Sequence, residues 1–253
     1  MIWDTHAHVD DTRYTDDFPE MLGRAQAAGI TRILNVGYDL PSSERSLKLA
    51  RECDFIYAAV GIHPHDAKDV TDTTWDALRE LAADPKAVAW GEIGLDYYRD
   101  LSPRALQQEV FIRQIELADE AGLPIIIHNR DAHEDVYRIV KEHTPKHGGV
   151  FHTYSGSWEM AKQLLNLGFY LSFAGPLTYK NARQVLEVAE KVPSDRYLLE
   201  TDSPYLTPEP YRGKRNEPAY VREVAVRLAQ ARSLPLEEVA VQAWQNAERL
   251  FKI

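Results

Sequence analysis

The chain has 253 residues, 44% hydrophobic and 27% charged, with a formal net charge of −10 at pH 7. That length suits one α/β barrel with a large core, and the acidic balance excludes a broad basic face for non-specific nucleic-acid binding. No apolar run nears the ~20 residues that cross a bilayer, no basic-then-apolar leader opens the chain, and the single cysteine, Cys53, leaves no disulfide framework, so the sequence reads as cytoplasmic with Cys53 a packing residue.

Short apolar runs alternate with helix-like stretches along the whole chain. The first strand is expected at Ile2–Asp4, followed by a helix over Phe18–Ala28 that closes at Gly29. Strand Arg32–Val36 precedes a helix over Ser42–Glu52, opened by Pro41 and serines. Strand Tyr57–Gly61 leads to helix Asp72–Ala83, which Asp84-Pro85 closes. Strand Val88–Glu92 leads to helix Ser102–Ala121, with Ser102 as capping residue, Pro103 at the first helical position and Gly122 at the end. Then come strand Pro124–His128 and helix Asp131–Glu142, strand Val150–His152 and helix Ser157–Leu167, strand Phe169–Phe173 and helix Lys180–Val192. Strand Tyr197–Thr201 and helices Glu217–Ala231 and Leu236–Leu250 finish the chain. Eight strand-helix units imply a parallel sheet with crossover helices, and this count in about 250 residues predicts a single-domain (β/α)8 TIM barrel over a doubly wound open sheet.

In such a barrel chemistry sits at the C-terminal strand ends. Of the chain's 9 histidines, His6, His8, His63, His65, His128 and His152 all fall there, with Glu92 at the end of strand four and Asp202 at that of strand eight. Strands two and seven carry no histidine or carboxylate at the equivalent place. Alone, each residue reads as an ordinary hydrogen-bonded polar group, as His133, His143 and His147 beside the fifth helix do. Together they read as a metal site. Side chains alternate along a strand, so His6 and His8 share a side and can hold one cation. Glu92 has two oxygens and can bridge two ions. His128 and His152 can hold the second. Asp202 can bind the first and accept a proton from a water.

The stretches DTHAH (4–8), GIHPH (61–65), GEIGLDYY (91–98), IHNR (127–130), GVFHTYSG (149–156), ETDSPYL (200–206) and GKRNEP (213–218) resemble the TatD family of metal-dependent deoxyribonucleases, in the amidohydrolase superfamily. The resemblance runs over nearly the whole chain. The histidine pair is shared across the superfamily, whereas GEIGLDYY with ETDSP is far more specific. It implies His6, His8, Glu92, His128, His152 and Asp202 as metal ligands, with Glu92 bridging. One departure is Thr153-Tyr154, where the family often has Cys-Phe.

The expected function is a divalent-metal-dependent hydrolase, a TatD-like exonuclease cutting DNA phosphodiester bonds, in the 3′-to-5′ direction. Its expected cofactors are two divalent ions, Mg, Mn, Zn or Ni. Asp202 takes a proton from water, Glu92 fixes the ions, and His63 binds phosphate or assists the leaving group. Arg130 and Arg215 are candidates for phosphate oxygens, with surface salt bridges as the competing use. Glu200 is a candidate partner for a ligand histidine, as is Asp4. Tyr97, Tyr98 and Tyr154 are candidates to stack a base. The acidic surface favours a single-stranded DNA end as partner, with no membrane and no obligate protein. Two rivals stand beside this: a barrel cutting an ester or amide bond (a lactone, a cyclic amide or an aminoacyl-tRNA ester), and a non-catalytic metal-binding scaffold.

Overall fold

A computed structural model describes residues Met1–Ile253. Eight parallel strands follow one another in the sheet order β1 to β8: Ile2–Ala7 (β1), Ile30–Val36 (β2), Ile56–Val60 (β3), Ala87–Asp96 (β4), Ile125–Arg130 (β5), Gly149–Phe151 (β6), Tyr170–Phe173 (β7) and Tyr197–Leu199 (β8). The helices between and after them are Phe18–Ala27 (α1), Leu40–Glu52 (α2), Asp72–Ala82 (α3), Arg104–Ala121 (α4), His133–Glu142 (α5), Trp158–Asn166 (α6), Arg183–Lys191 (α7), Val221–Arg232 (α8) and Leu236–Phe251 (α9). A parallel bridge between Ala7 and Ser203 ties the end of β1 to the segment after β8. This is the expected (β/α)8 barrel class. No helix is long and apolar enough to cross a membrane.

The chain divides into two compact units. The first comprises Met1–Asn35, Thr153–Asn166 and Tyr170–Lys252; the second Val36–His152 and Leu167–Phe169, with Ile253.

In the first unit β1 is buried at all six positions, because a parallel strand is covered on both faces. Trp3 packs against α9, with ring centroids 5.6 Å from Trp244 and 5.5 Å from Phe251. Arg32 on β2 sets its guanidinium 5.1 Å from the Trp3 ring and 4.7 Å from Trp244, a cation over two aromatic faces.

In the second unit β3, β4, β5 and β6 pair in parallel. Strand β4 outruns its expected end at Glu92 and continues to Asp96, buried throughout its ten residues. Glycine is poor in strands, so Gly91 and Gly94 look like a terminus in the sequence. The structure gives Gly94 another reason: it pairs with His128, has φ +141°, and a side chain there would collide with the His128 carbonyl oxygen.

Helix α4 carries two buried glutamines seven residues apart, hence two turns apart on one face. Gln114 accepts from the Ile62 N–H at 2.8 Å and donates back to its carbonyl at 2.9 Å. Gln107 does the same for Asp96, at 2.9 and 3.3 Å. Ser102 does not cap α4; Pro103 holds that position. The Ser102 hydroxyl instead donates to the His65 carbonyl at 2.7 Å and accepts from the Lys68 N–H at 3.2 Å. Gly122 ends α4 in the left-handed region at φ +75°, as a glycine C-cap should. Two other boundaries move inward. Helix α7 begins at Arg183, and α8 at Val221, after a 3-10 turn over Pro218–Tyr220.

Candidate metal centre

The first unit gathers His6, His8 and Asp202. The His8 N–H donates to the Ser203 carbonyl at 2.7 Å and the Asp202 N–H to the His6 carbonyl at 2.9 Å, so β1 and the turn after β8 hold each other in register. Asp202 has φ +55°, a conformation aspartate tolerates better than most residues. Its Oδ1 lies 3.7 Å from His6 Nε2 and 3.5 Å from His8 Nε2. Those gaps exceed a charge-assisted hydrogen bond. They match two ligands about 2.1 Å from one tetrahedral cation, which stand about 3.4 Å apart.

Buried polar clasps set this cluster. Asp4 accepts from the Thr201 N–H at 2.9 Å and the Thr201 hydroxyl at 2.6 Å. Burial outweighs those bonds and pushes the Asp4 carboxyl up to about 8. Glu200 accepts from the Thr153 N–H at 2.6 Å, the Thr153 hydroxyl at 2.7 Å and the Ser172 hydroxyl at 2.6 Å. The Thr153 departure therefore supplies a hydroxyl to Glu200. Asn216 donates to the Thr201 carbonyl at 2.9 Å and the Tyr205 carbonyl at 2.5 Å, bracketing Asp202. Its neighbours tie the same stretch to the start of the chain. Arg215 forms a two-pronged pair with Asp17, both bonds 2.7 Å, and Glu217 pairs with Arg24 at 2.7 Å.

The second unit gathers His63, Glu92, His128 and His152. Glu92 is the sixth residue of β4, and its N–H donates to the Gly37 carbonyl at 2.9 Å. His128 lies on β5, and His152 follows β6, its N–H donating to the Ile127 carbonyl at 3.1 Å. A single oxygen, Glu92 Oε1, lies 2.7 Å from His128 Nδ1, 2.9 Å from His152 Nε2 and 3.6 Å from His63 Nε2. The first two nitrogens are 3.4 Å apart. Burial alone would raise the Glu92 carboxyl; His152 and His63 beside it, with the His128 and His152 hydrogen bonds, hold it well below the usual range. A carboxylate among imidazole nitrogens suits zinc, nickel or manganese, so the donor set fits a divalent cation.

His63 differs from the other two. The His65 N–H donates to His63 Nδ1 at 3.2 Å, so the proton of the neutral ring sits on Nε2, facing Glu92. Burial first, then the neighbouring His128, keeps the His63 pKa well below its ordinary value and the ring neutral. His63 is therefore built as a hydrogen-bond donor.

The remaining candidates lie outside these clusters. The exposed Arg130 guanidinium sits 4.0 Å over the Tyr98 ring, and Tyr98 is 61% exposed. Arg215 is engaged by Asp17 and the Arg13 carbonyl. The Tyr97 hydroxyl donates to Asp135 at 2.8 Å, and the buried Tyr154 hydroxyl donates to the Ser157 carbonyl at 2.8 Å. Residues without a role in the sequence reading now have one. Asp96 Oδ2 lies 2.9 Å from His65 Nε2 and 3.1 Å from His128 Nε2. On β2, Asn35 Oδ1 accepts from the Val9 N–H at 2.6 Å, just past His8. The available signal was a polar residue inside an apolar run.

A family model described as TatD related DNase matches residues 3–252. A Bacillus subtilis (strain 168) protein described as the uncharacterized metal-dependent hydrolase YabD is 50% identical, covering 100% of both chains. The Klebsiella pneumoniae (strain 342) protein named 3′-5′ ssDNA/RNA exonuclease TatD is 31% identical over 100% of this chain and 98% of its own. The crystal structure of YJJV, a TatD homolog from Escherichia coli K12, superimposes with a TM-score of 0.95 at 32% identity, over 100% of this chain and 98% of that one.

Proposed function

The chain belongs to the family of TatD-related DNases, a family of metal-dependent hydrolases, and from that premise we propose that it is a 3′-to-5′ exonuclease acting on single-stranded DNA ends. The observation that carries the reading is the convergence of His63, His128 and His152 on one buried oxygen of Glu92. The printed name of the Klebsiella relative supports the substrate and direction. Residues 1–253 are read as one catalytic domain, working in the cytoplasm, as the unpaired Cys53 suits.

In this reading one divalent ion would be held by His6, His8 and Asp202, and another by Glu92, His128 and His152. Bound there, a divalent cation supplies Lewis acidity toward a phosphoryl oxygen and makes a water more acidic. The protein's own groups do the rest. Asp202, partly open to solvent, takes the proton of the attacking water. Neutral His63 donates from Nε2 to a phosphate oxygen or to the leaving oxygen. Arg130 and Arg215 offer planar forks to neighbouring phosphates. The Asp17 pair must open for Arg215 to serve, which favours Arg130. Tyr98, stacked on Arg130, offers an exposed ring to a base.

The test is a time course on 5′-labelled and 3′-labelled single-stranded oligonucleotides with Mg, Mn, Zn or Ni, beside duplex DNA and RNA. Metal-dependent shortening of the single strand from its 3′ end is expected. The substrate assignment fails if the protein leaves every nucleic acid intact yet hydrolyses lactones, cyclic amides or aminoacyl esters.

A further inference from the structure

The exposed groove lined by Met1, Leu236, Val241 and Trp244 carries nothing, since no feature of the structure says what covers it. Tyr205, edge-on to His8 with Arg13 over its ring, has one face already taken. Asp96 is different.

Asp96 is 1% exposed, and both of its oxygens are assigned. Oδ1 accepts the backbone N–H groups of Tyr98 at 3.0 Å and Arg99 at 2.7 Å. Oδ2 faces the Nε2 atoms of His128 and His65. Gln107 clamps its backbone from both sides. The carboxylate is thus fixed in rotation and position. An ionised carboxylate only accepts hydrogen bonds, so a proton on His128 Nε2 points at Asp96 and Nδ1 is the atom turned toward Glu92. A cation held beside Glu92 would take the Nδ1 lone pair while Nε2 stays on Asp96. The same Oδ2 holds the ring of His65 at 2.9 Å.

We propose that Asp96 is a positioning residue of the metal centre, holding His128 by Nε2 so that Nδ1 is presented to the cation site. Carboxylate partners of ligand histidines are a general device for orienting a ring and raising its basicity. Here the carboxylate is itself fixed by two backbone N–H groups and a glutamine clamp, so the ring it holds has little freedom to turn.

The proposal rests on the metal-centre reading, so the experiment separates the two. The zinc dissociation constant is measured by chelator competition for the wild type and Asp96→Asn. Asparagine keeps an oxygen for the Tyr98 and Arg99 N–H groups, while its amide donates to His128 Nε2 and drives the ring proton to Nδ1. The constant should rise by about 10–100-fold. Imidazole 15N spectra of the zinc-loaded wild type should place the proton of His128 on Nε2. A constant within twofold of wild type, or a His128 proton on Nδ1 in the wild type, overturns the proposal. Should Asp96→Asn fail to fold, the wild-type spectra decide alone. A purely structural Asp96 would lower the melting temperature of the metal-free variant and leave the tautomers untouched, which also overturns it. A wild type that binds no zinc overturns the metal-centre reading and this inference with it.

Discussion

The two histidine clusters draw their carboxylates from different kinds of structure. Glu92 lies mid-strand in β4, buried, with imidazole nitrogens at 2.7 and 2.9 Å. Asp202 lies in a left-handed turn beyond β8, its side chain 14% exposed and its histidines at 3.5 and 3.7 Å. A desolvated carboxylate ringed by nitrogen donors gains most from a cation and loses most by removal. A carboxylate in a turn keeps access to water and suits a group that takes a proton and passes it on. In the proposed function, holding and proton transfer are thus divided between a strand and a loop.

The largest expected effect is at the strand-borne carboxylate. Glu92→Ala should lower turnover by about 10³-fold or more and empty the centre of metal, read by elemental analysis of the purified protein. Asp202→Asn should cost ~10²–10⁴ in kcat while retaining metal at Glu92, His128 and His152. Equal metal loss in the two variants would erase the distinction between them. His63→Ala should lower kcat by ~10² with metal content unchanged, since a ring with its proton on Nε2 donates and does not ligate; metal loss in that variant would make His63 a ligand. The smallest effects belong to the arginines. Arg130→Ala should raise KM by about 3–10-fold for an oligonucleotide at constant kcat. Arg215→Ala should act instead on thermal stability, by a few degrees, through the Asp17 pair and the loop that Asn216 brackets. A KM effect of Arg215→Ala larger than that of Arg130→Ala would reverse their ranking.

The ligand-type residues were legible because type and position coincide: histidines and carboxylates fell at the ends of apolar runs, where a barrel places chemistry. The supports were not. Asp96 was hidden because Gly91 and Gly94 mimic a strand end, whereas Gly94 is there to let β4 approach β5. Ser102 looked like a helix cap because serine before proline ordinarily is one; its hydroxyl is spent on the His65 carbonyl. Gln107 and Gln114 lie in the apolar stripe of α4, and periodicity cannot say that a buried amide clamps a backbone many residues away. Ser172 and Asn35 sit on the two strands without ligand-type residues and act through hydrogen bonds to Glu200 and to the chain beyond His8.

The Trp3–Trp244 contact has a practical side. Two indoles held 5.6 Å apart at 54° couple their electronic transitions, and fixed aromatic pairs of this kind give near-ultraviolet circular dichroism that vanishes when tertiary packing loosens. One of the pair belongs to β1, three residues before His6. The strand that presents the histidine pair therefore carries its own label-free optical gauge of whether α9 is docked, readable during metal titration without any modification of the protein.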